Sequence, residues 1–165
     1  RDGADAIFDA TPNAPPGVYT VVLRGQTQVP FSRDGQGKKA TVTFTEPSTP
    51  ITVTVLPKEV AKLTVGPTNP KVKLGAKTEL LVKVTRLYDY AGEFKVRLVL
   101  PPGVTGLSGE EVTIAAGKDE ARLTLAAAPD TKTGVRPNLI VRAVAVVHGN
   151  LEVQHDAKIN VNVSK

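Results

Sequence analysis

The sequence predicts an all-β chain folded as an antiparallel β-sandwich. One complete domain is expected over 58–165, preceded over 1–57 by the C-terminal strands of a similar domain. Three observations carry this expectation. Apolar residues alternate with polar ones at period 2 along short runs, as in strands with one buried and one wet face. Hydrophobic residues make up 41% of the chain but aromatics only 4%, so the core must be built mainly from Val, Leu, Ile and Ala. Val and Thr, both β-branched, suit a pleated surface. Finally, 14 Gly and 13 Pro break the chain at short intervals, as in sandwiches and barrels.

An internal repeat sets the boundaries. Ala121 to Val163 reads ARLTLAAAPDTKTGV, NLIVRAVAVVHGNLEVQ and KINVNV. Ala4 to Val55 reads ADAIFDATPNAPPGV, YTVVLRGQTQVPF and PITVTV. Pro12 matches Pro129, Gly17 matches Gly134, and the run from Ile51 to Val55 matches that from Ile159 to Val163. Val21-Val22 falls near Ile140-Val141. The first copy has a longer connection, Ser32 to Lys39, where Asp34-Gly35 signals a turn.

That first copy holds only the last three or four strands. Phe8, Val21, Leu23, Phe31, Phe44, Val53 and Val55 would form one apolar face. Leaving such a face in water forfeits about 25 cal/mol per Å². The rest of the parent polypeptide is expected to cover it, or another chain by strand complementation. Leu56-Pro57-Lys58-Glu59 reads as a short linker, stiffened by its proline.

In the second copy, alternation predicts strands near 60–65, 71–74, 78–86, 93–100, 110–115, 120–127, 138–148 and 151–163. Phe94, Val96, Leu98 and Leu100 should face one way, Lys95, Arg97 and Val99 the other. Leu80, Val82 and Val84 alternate with Lys83 and Thr85. Turns are expected at Ala91-Gly92, Pro101-Pro102-Gly103, Ala116-Gly117 and His148-Gly149-Asn150, the last a tight hairpin. Seven or eight strands with turns this close are the mark of an immunoglobulin-like (Ig-like) sandwich. The term refers to architecture, since the Cys and Trp of antibody domains are absent.

Two sets of residues carry a resemblance. Val112-Thr113-Ile114-Ala115-Ala116-Gly117 and Glu120-Ala121-Arg122-Leu123-Thr124-Leu125 form strand, turn and strand. Ala128-Pro129-Asp130, Gly134 and a long apolar strand follow. This resembles the Ig-like modules of bacterial exported proteins, including the NEW3-type domain that accompanies glycoside hydrolases. The stretches from Gly17 to Gly25 and from Leu87 to Phe94 are similar to large secreted proteins with pre-peptidase C-terminal domains. The resemblance implies a spacer, stalk or accessory module at the cell surface or outside the cell, with no catalytic residues to carry over.

Composition narrows the chemistry. With no Cys there are no disulfides, thiolate nucleophiles or Cys-type zinc sites. With no Met and an opening Arg1-Asp2-Gly3, the chain reads as an excerpt or processed product. No apolar run approaches the length of a membrane span. The net charge is +5, all from 58–165, because 1–57 carries five basic and five acidic groups.

His148 falls at a turn and His155 is expected on the wet side of its strand, so neither suggests a catalytic base. Glu110-Glu111 and Asp119-Glu120 are adjacent on strands and face opposite ways, which does not suit acid–base work. Asp89, Glu93, Asp130 and Asn138 could hold calcium only if their loops converged. No metal, cofactor or catalytic set is therefore expected. The weak ligand candidates are Lys83, Lys95 and Arg97, with Tyr88 and Tyr90. Together with Lys71, Lys73, Lys77 and Arg86, the basic residues would form a cationic stripe if they shared a wet face. Such a stripe suits an acidic polysaccharide better than nucleic acid, for which aromatic interleaving is missing. The plainer reading is that these cations keep exposed strands soluble and unpaired at their edges. Tyr88-Asp89-Tyr90-Ala91-Gly92 could stack on a sugar ring, or one Tyr could be buried with its hydroxyl bonded.

The function expected is therefore a non-catalytic structural or spacer module. The alternatives are an accessory carbohydrate-binding or adhesion module of an exported hydrolase, and a strand-complemented filament subunit.

Overall fold

The structure, a computed structural model, describes residues 5–32, 37 and 40–165. The predicted Asp34-Gly35 turn lies outside the described residues. The chain divides into two units, Arg1–Pro57 and Lys58–Lys165. All regular structure among the described residues is strand.

The first unit contains β1 (Gly17–Val21), β2 (Arg24–Phe31), β3 (Ala40–Pro47) and β4 (Ile51–Val55). β1 pairs antiparallel with β4, Gly17 opposite Val55 and Val21 opposite Ile51. β2 pairs antiparallel with β3, Arg24 opposite Pro47 and Phe31 opposite Ala40. The two ladders follow one another along the same two chain segments. Between them, Ser48 N–H donates to Leu23 O at 2.8 Å and Leu23 N–H donates to Ser48 Oγ at 2.9 Å. The returning segment has one residue more than its partner across this join, as in a β-bulge. Alternation gives the ribbon an apolar face: Val29 opposes Val42, and Thr27 opposes Phe44. Phe31 and Phe44 remain 58% and 56% exposed.

The second unit contains β5 (Ala61–Gly66), β6 (Lys71–Lys73), β7 (Lys77–Arg86), β8 (Phe94–Val99), β9 (Leu107–Gly109), β10 (Val112–Ile114), β11 (Glu120–Ala127), β12 (Gly134–Val147) and β13 (Leu151–Ser164). They form two sheets, ordered β5-β7-β11-β9 and β10-β8-β12-β13-β6. Every pairing is antiparallel except β6 with β13. This is an Ig-like sandwich. β5, β7, β11 and β9 hold the positions of strands A, B, E and D, and β8, β12 and β13 those of C, F and G.

The core lies between the sheets. Leu80, Val82, Leu123 and Leu125 face it from one side, and Phe94, Val96, Val141, Ile159 and Val161 from the other. All are fully buried. The near absence of aromatics is thus met by interleaved aliphatic side chains around a single Phe.

Two strand boundaries differ from expectation. The strand predicted over 110–115 is confined to β10, and a further short strand, β9, precedes it in the opposite sheet. β9 pairs with β11 and β10 with β8. The adjacent Glu110-Glu111 marks the crossing, since neither carboxylate can be drawn into the core. β12 begins at Gly134, earlier than the predicted start near 138, and shifts register between Arg136 and Leu139. Pro137 cannot donate to a ladder and is accommodated at this bulge. Asn138 takes a left-handed φ of 59°, and its N–H donates to Asn160 Oδ1 at 3.2 Å.

Candidate functional site

The loops at one end of the second unit are organised by Arg86, the last residue of β7. Its Nε donates to Asp119 Oδ1 at 3.1 Å. Nη1 donates to the carbonyls of Tyr90 and Gly92 at 3.0 and 2.6 Å. Nη2 donates to those of Ala115 and Lys118 at 3.3 and 2.5 Å. The guanidinium carbon stands 5.1 Å from the centre of the Phe94 ring, in cation–π range. One side chain, only 16% exposed, thus ties the 87–93 loop to the 115–119 loop. Arg86 is structural and is not a free cation of the predicted stripe.

The two candidate tyrosines separate. Tyr90 packs edge-on against Phe94, with ring centres 5.3 Å apart. Its hydroxyl lies 3.1 Å from Glu93 O and 3.2 Å from Val146 O, so it fastens the loop to the end of β12. Gly92 leaves room for this, since a Cβ there would lie 2.4 Å from the Tyr90 hydroxyl. Tyr88 is 65% exposed. Tyr88 and Asp89 both have φ of 53°, and Tyr90 N–H donates to Leu87 O at 3.1 Å. This is a turn with two left-handed central residues, a geometry that favours Asn and Gly.

The cationic stripe does not form. Lys83 lies on β7 and bonds Glu120 at 3.1 Å, while Lys95 and Arg97 lie on β8 in the opposite sheet. Consecutive strands B and C of an Ig-like sandwich belong to different sheets, which alternation within each strand does not reveal. Lys77 is likewise paired, with Glu110 at 3.0 Å, and Arg122 with Glu79 at 2.7 Å. On the other sheet Arg97 stands opposite Arg142, and Arg142 is bidentate to Asp156, both bonds 2.7 Å. That hydrogen bond holds the Asp156 carboxyl below the usual carboxylate range and raises Arg142. Sequence reasoning missed Arg142 as a neighbour of Arg97, because the two are far apart in the chain.

His155 corrects a second expectation. It is 6% exposed, on the inward face of β13. Its ring meets Phe94 edge-on at 6.0 Å, and Nε2 has no hydrogen-bonding partner among the described residues. Burial lowers its pKa from the ordinary 6.5, against the opposing pull of Glu59 and Asp156. A shallow groove of about 280 Å³ beside it is lined by Glu59, Lys62, Gln154 and Asp156 among others. Counting back in twos from Ile159 would have placed His155 inside. His148 sits in the hairpin with a φ of 48°, exposed as expected.

No family model matches the chain. No curated protein matches it either. Among solved structures, domains 4 and 5 of the S-layer protein SbsC superpose with a TM-score of 0.44 and 15% identity. That alignment covers 100% of this chain and 88% of the other.

The oxygen-bearing residues considered for calcium do not converge. Asp89 and Glu93 lie between β7 and β8, while Asp130 lies beyond β11 and Asn138 near the start of β12. Glu120 at the start of β11 pairs with Lys83 near the end of β7, so the loop after β11 is at the opposite end of the sandwich. Among the described residues no three of His, Cys, Asp and Glu cluster in a metal-binding group. Among the described residues no helix is long and apolar enough to cross a membrane.

Proposed function

We propose that the chain is a non-catalytic structural module of a larger secreted or cell-surface protein, a semi-rigid spacer that positions other domains. The observation that carries this reading is where the chemically capable side chains of the second unit are spent. Glu110, Asp119 and Glu120 bond Lys77, Arg86 and Lys83. His155 is turned into the core beside Phe94. Exposed pairs contribute little stability singly, about 0–1 kcal/mol each, but they occupy the groups that acid–base chemistry would use. The resemblance of the 112–134 region to modules of bacterial exported proteins supports the proposed location.

The first unit is read as the C-terminal part of a second Ig-like sandwich in tandem. Its support is register: Gly17 opposes Val55 as Gly134 opposes Val163, and Val21 opposes Ile51 as Leu139 opposes Ile159.

One observation favours carbohydrate binding or adhesion as a second reading. Tyr88 is exposed on a turn whose backbone would suit Asn or Gly better, and such strain collects at functional positions. Affinity electrophoresis through gels carrying neutral and acidic polysaccharides separates the two. The spacer reading expects the chain to migrate as in a plain gel. Retardation that vanishes in Tyr88→Ala would replace it with the second reading. Antibody labelling of intact source cells tests the surface location.

A further inference from the structure

We infer that the β1–β4 ribbon is an acceptor completed in cis, by β-strands of the same polypeptide that lie N-terminal to Asp5. This rests on reading the first unit as the tail of a second sandwich, and it adds what covers the ribbon and where. A two-stranded ribbon is marginal in water without further strands or a packed layer. The ribbon also has an apolar face, with Val29, Phe31, Val42 and Phe44 lining one exposed patch.

The second unit shows what such a ribbon takes. β12 and β13 pair as β1 and β4 do, and their inward residues are buried. β8 pairs antiparallel with the edge of β12 from Ile140 to Ala145, beginning one residue after Leu139. β6 runs parallel to the end of β13 from Asn162 to Ser164. The other sheet closes the apolar face.

Transferred through the shared register, the occupant is defined. An antiparallel strand lies along the ribbon from Val22 onward, a short parallel strand lies beside the end of β4, and an apolar sheet covers Tyr19, Val21, Val53 and Val55. The source is argued from continuity. In the second unit the covering strand β11 leads directly into β12 through the 128–133 loop. In the first unit the segment leading into β1 already lies on the apolar face. Phe8 and Ala10 line a groove with Tyr19, Val21, Val53 and Val55. The cover thus arrives from the N-terminal side along the same chain, as it does in the second unit.

The test compares chain 1–165 with the parent polypeptide extended N-terminally by about 100 residues, the size of one such sandwich. Amide hydrogen exchange is followed in β2 and β3, with β12 and β13 as internal reference. Protection in β2 and β3 is expected to rise about 100-fold in the extended polypeptide, with the reference strands unchanged. The chain lacks cysteine, so Val29→Cys gives a second readout, and its thiol labelling should slow by a similar factor. Equal and weak protection in both polypeptides overturns the inference. So does strong protection in chain 1–165 accompanied by a dimer mass in sedimentation, because the cover is then a second copy. Polysaccharide retention would overturn the spacer reading without touching this result, and lack of protection would do the reverse.

Discussion

Arg86 shows how much of this fold rests on single side chains. Its guanidinium accepts no substitute in kind, because the fork of five N–H donors meets four backbone carbonyls and a carboxylate. Arg86→Ala leaves partly buried carbonyls without donors and is expected to destabilise the chain by about 2–3 kcal/mol, read from urea denaturation. Arg122→Ala removes an exposed pair only and should leave the urea midpoint close to that of the wild type. Equal costs would show that Arg86 does not organise the loops. His155 gives a pH signature. Burial favours the neutral imidazole, so the unfolded chain takes up the proton more readily. Stability is therefore complete above the ordinary value of 6.5 and is lost as pH falls below it. Asp156, held low by Arg142, contributes stability above the usual carboxylate range that is lost only in stronger acid. Between about pH 7.5 and about pH 5, the Tm of the wild type should fall more than that of His155→Leu. Parallel curves would refute the assignment. Neither role stood out in the sequence. Arg86 resembles any strand-end cation until its loops are folded around it. His155 was within reach, because the period-2 count from Val153 through Ala157 to Ile159 puts it inside.

At the level of elements, the strands follow from alternation and their ends follow from close approaches. Gly106 has a φ of +80°, and a Cβ there would lie 2.4 Å from Thr131 Oγ1. Thr131 in turn donates to Gly106 O at 2.8 Å, which pins the loop after β11 to the residue before β9. Gly106→Ala is expected to cost about 2 kcal/mol through overpacking and backbone strain. Thermal unfolding that matches the wild type would show that this contact is dispensable. The Tyr88-Asp89 turn makes the opposite prediction. Replacing the pair by Asn-Gly, the residues its two left-handed positions favour, should raise stability by about 1 kcal/mol or more. A neutral or destabilising result would mean that the Tyr88 ring contributes packing that its exposure does not suggest. The period-2 pattern gave the faces of β7 and β8 from the runs beginning at Leu80 and Phe94. It did not give β9, because that strand is only three residues long. So short a run carries too little alternation to reveal which sheet it joins.

For the whole molecule, the uneven distribution of burial decides what a truncation or a core substitution does. Among the described residues the buried apolar core lies within 58–165. A polypeptide of 58–165 should therefore unfold cooperatively, with a midpoint within about 2 °C of the full chain. A large drop would mean that 1–57 supports the core. Leu123→Ala should cost about 2–5 kcal/mol, whereas Phe31→Ala, on an open face, should leave the main transition in place. The amino-acid sequence by itself determined the all-β class, the inward faces of β7 and β8 and the turns at Gly103, Gly117 and Gly149, because these depend on local alternation and on the backbone limits of Gly and Pro. It also excluded thiol chemistry by composition. Only the tertiary structure decided which strands share a sheet, and so dispersed Lys83 from Lys95 and Arg97, turned Tyr90 into a fastener and left Tyr88 in solvent. The physical reason is that side-chain direction is fixed within a strand, whereas sheet partnership is fixed by loops that carry consecutive strands to opposite layers.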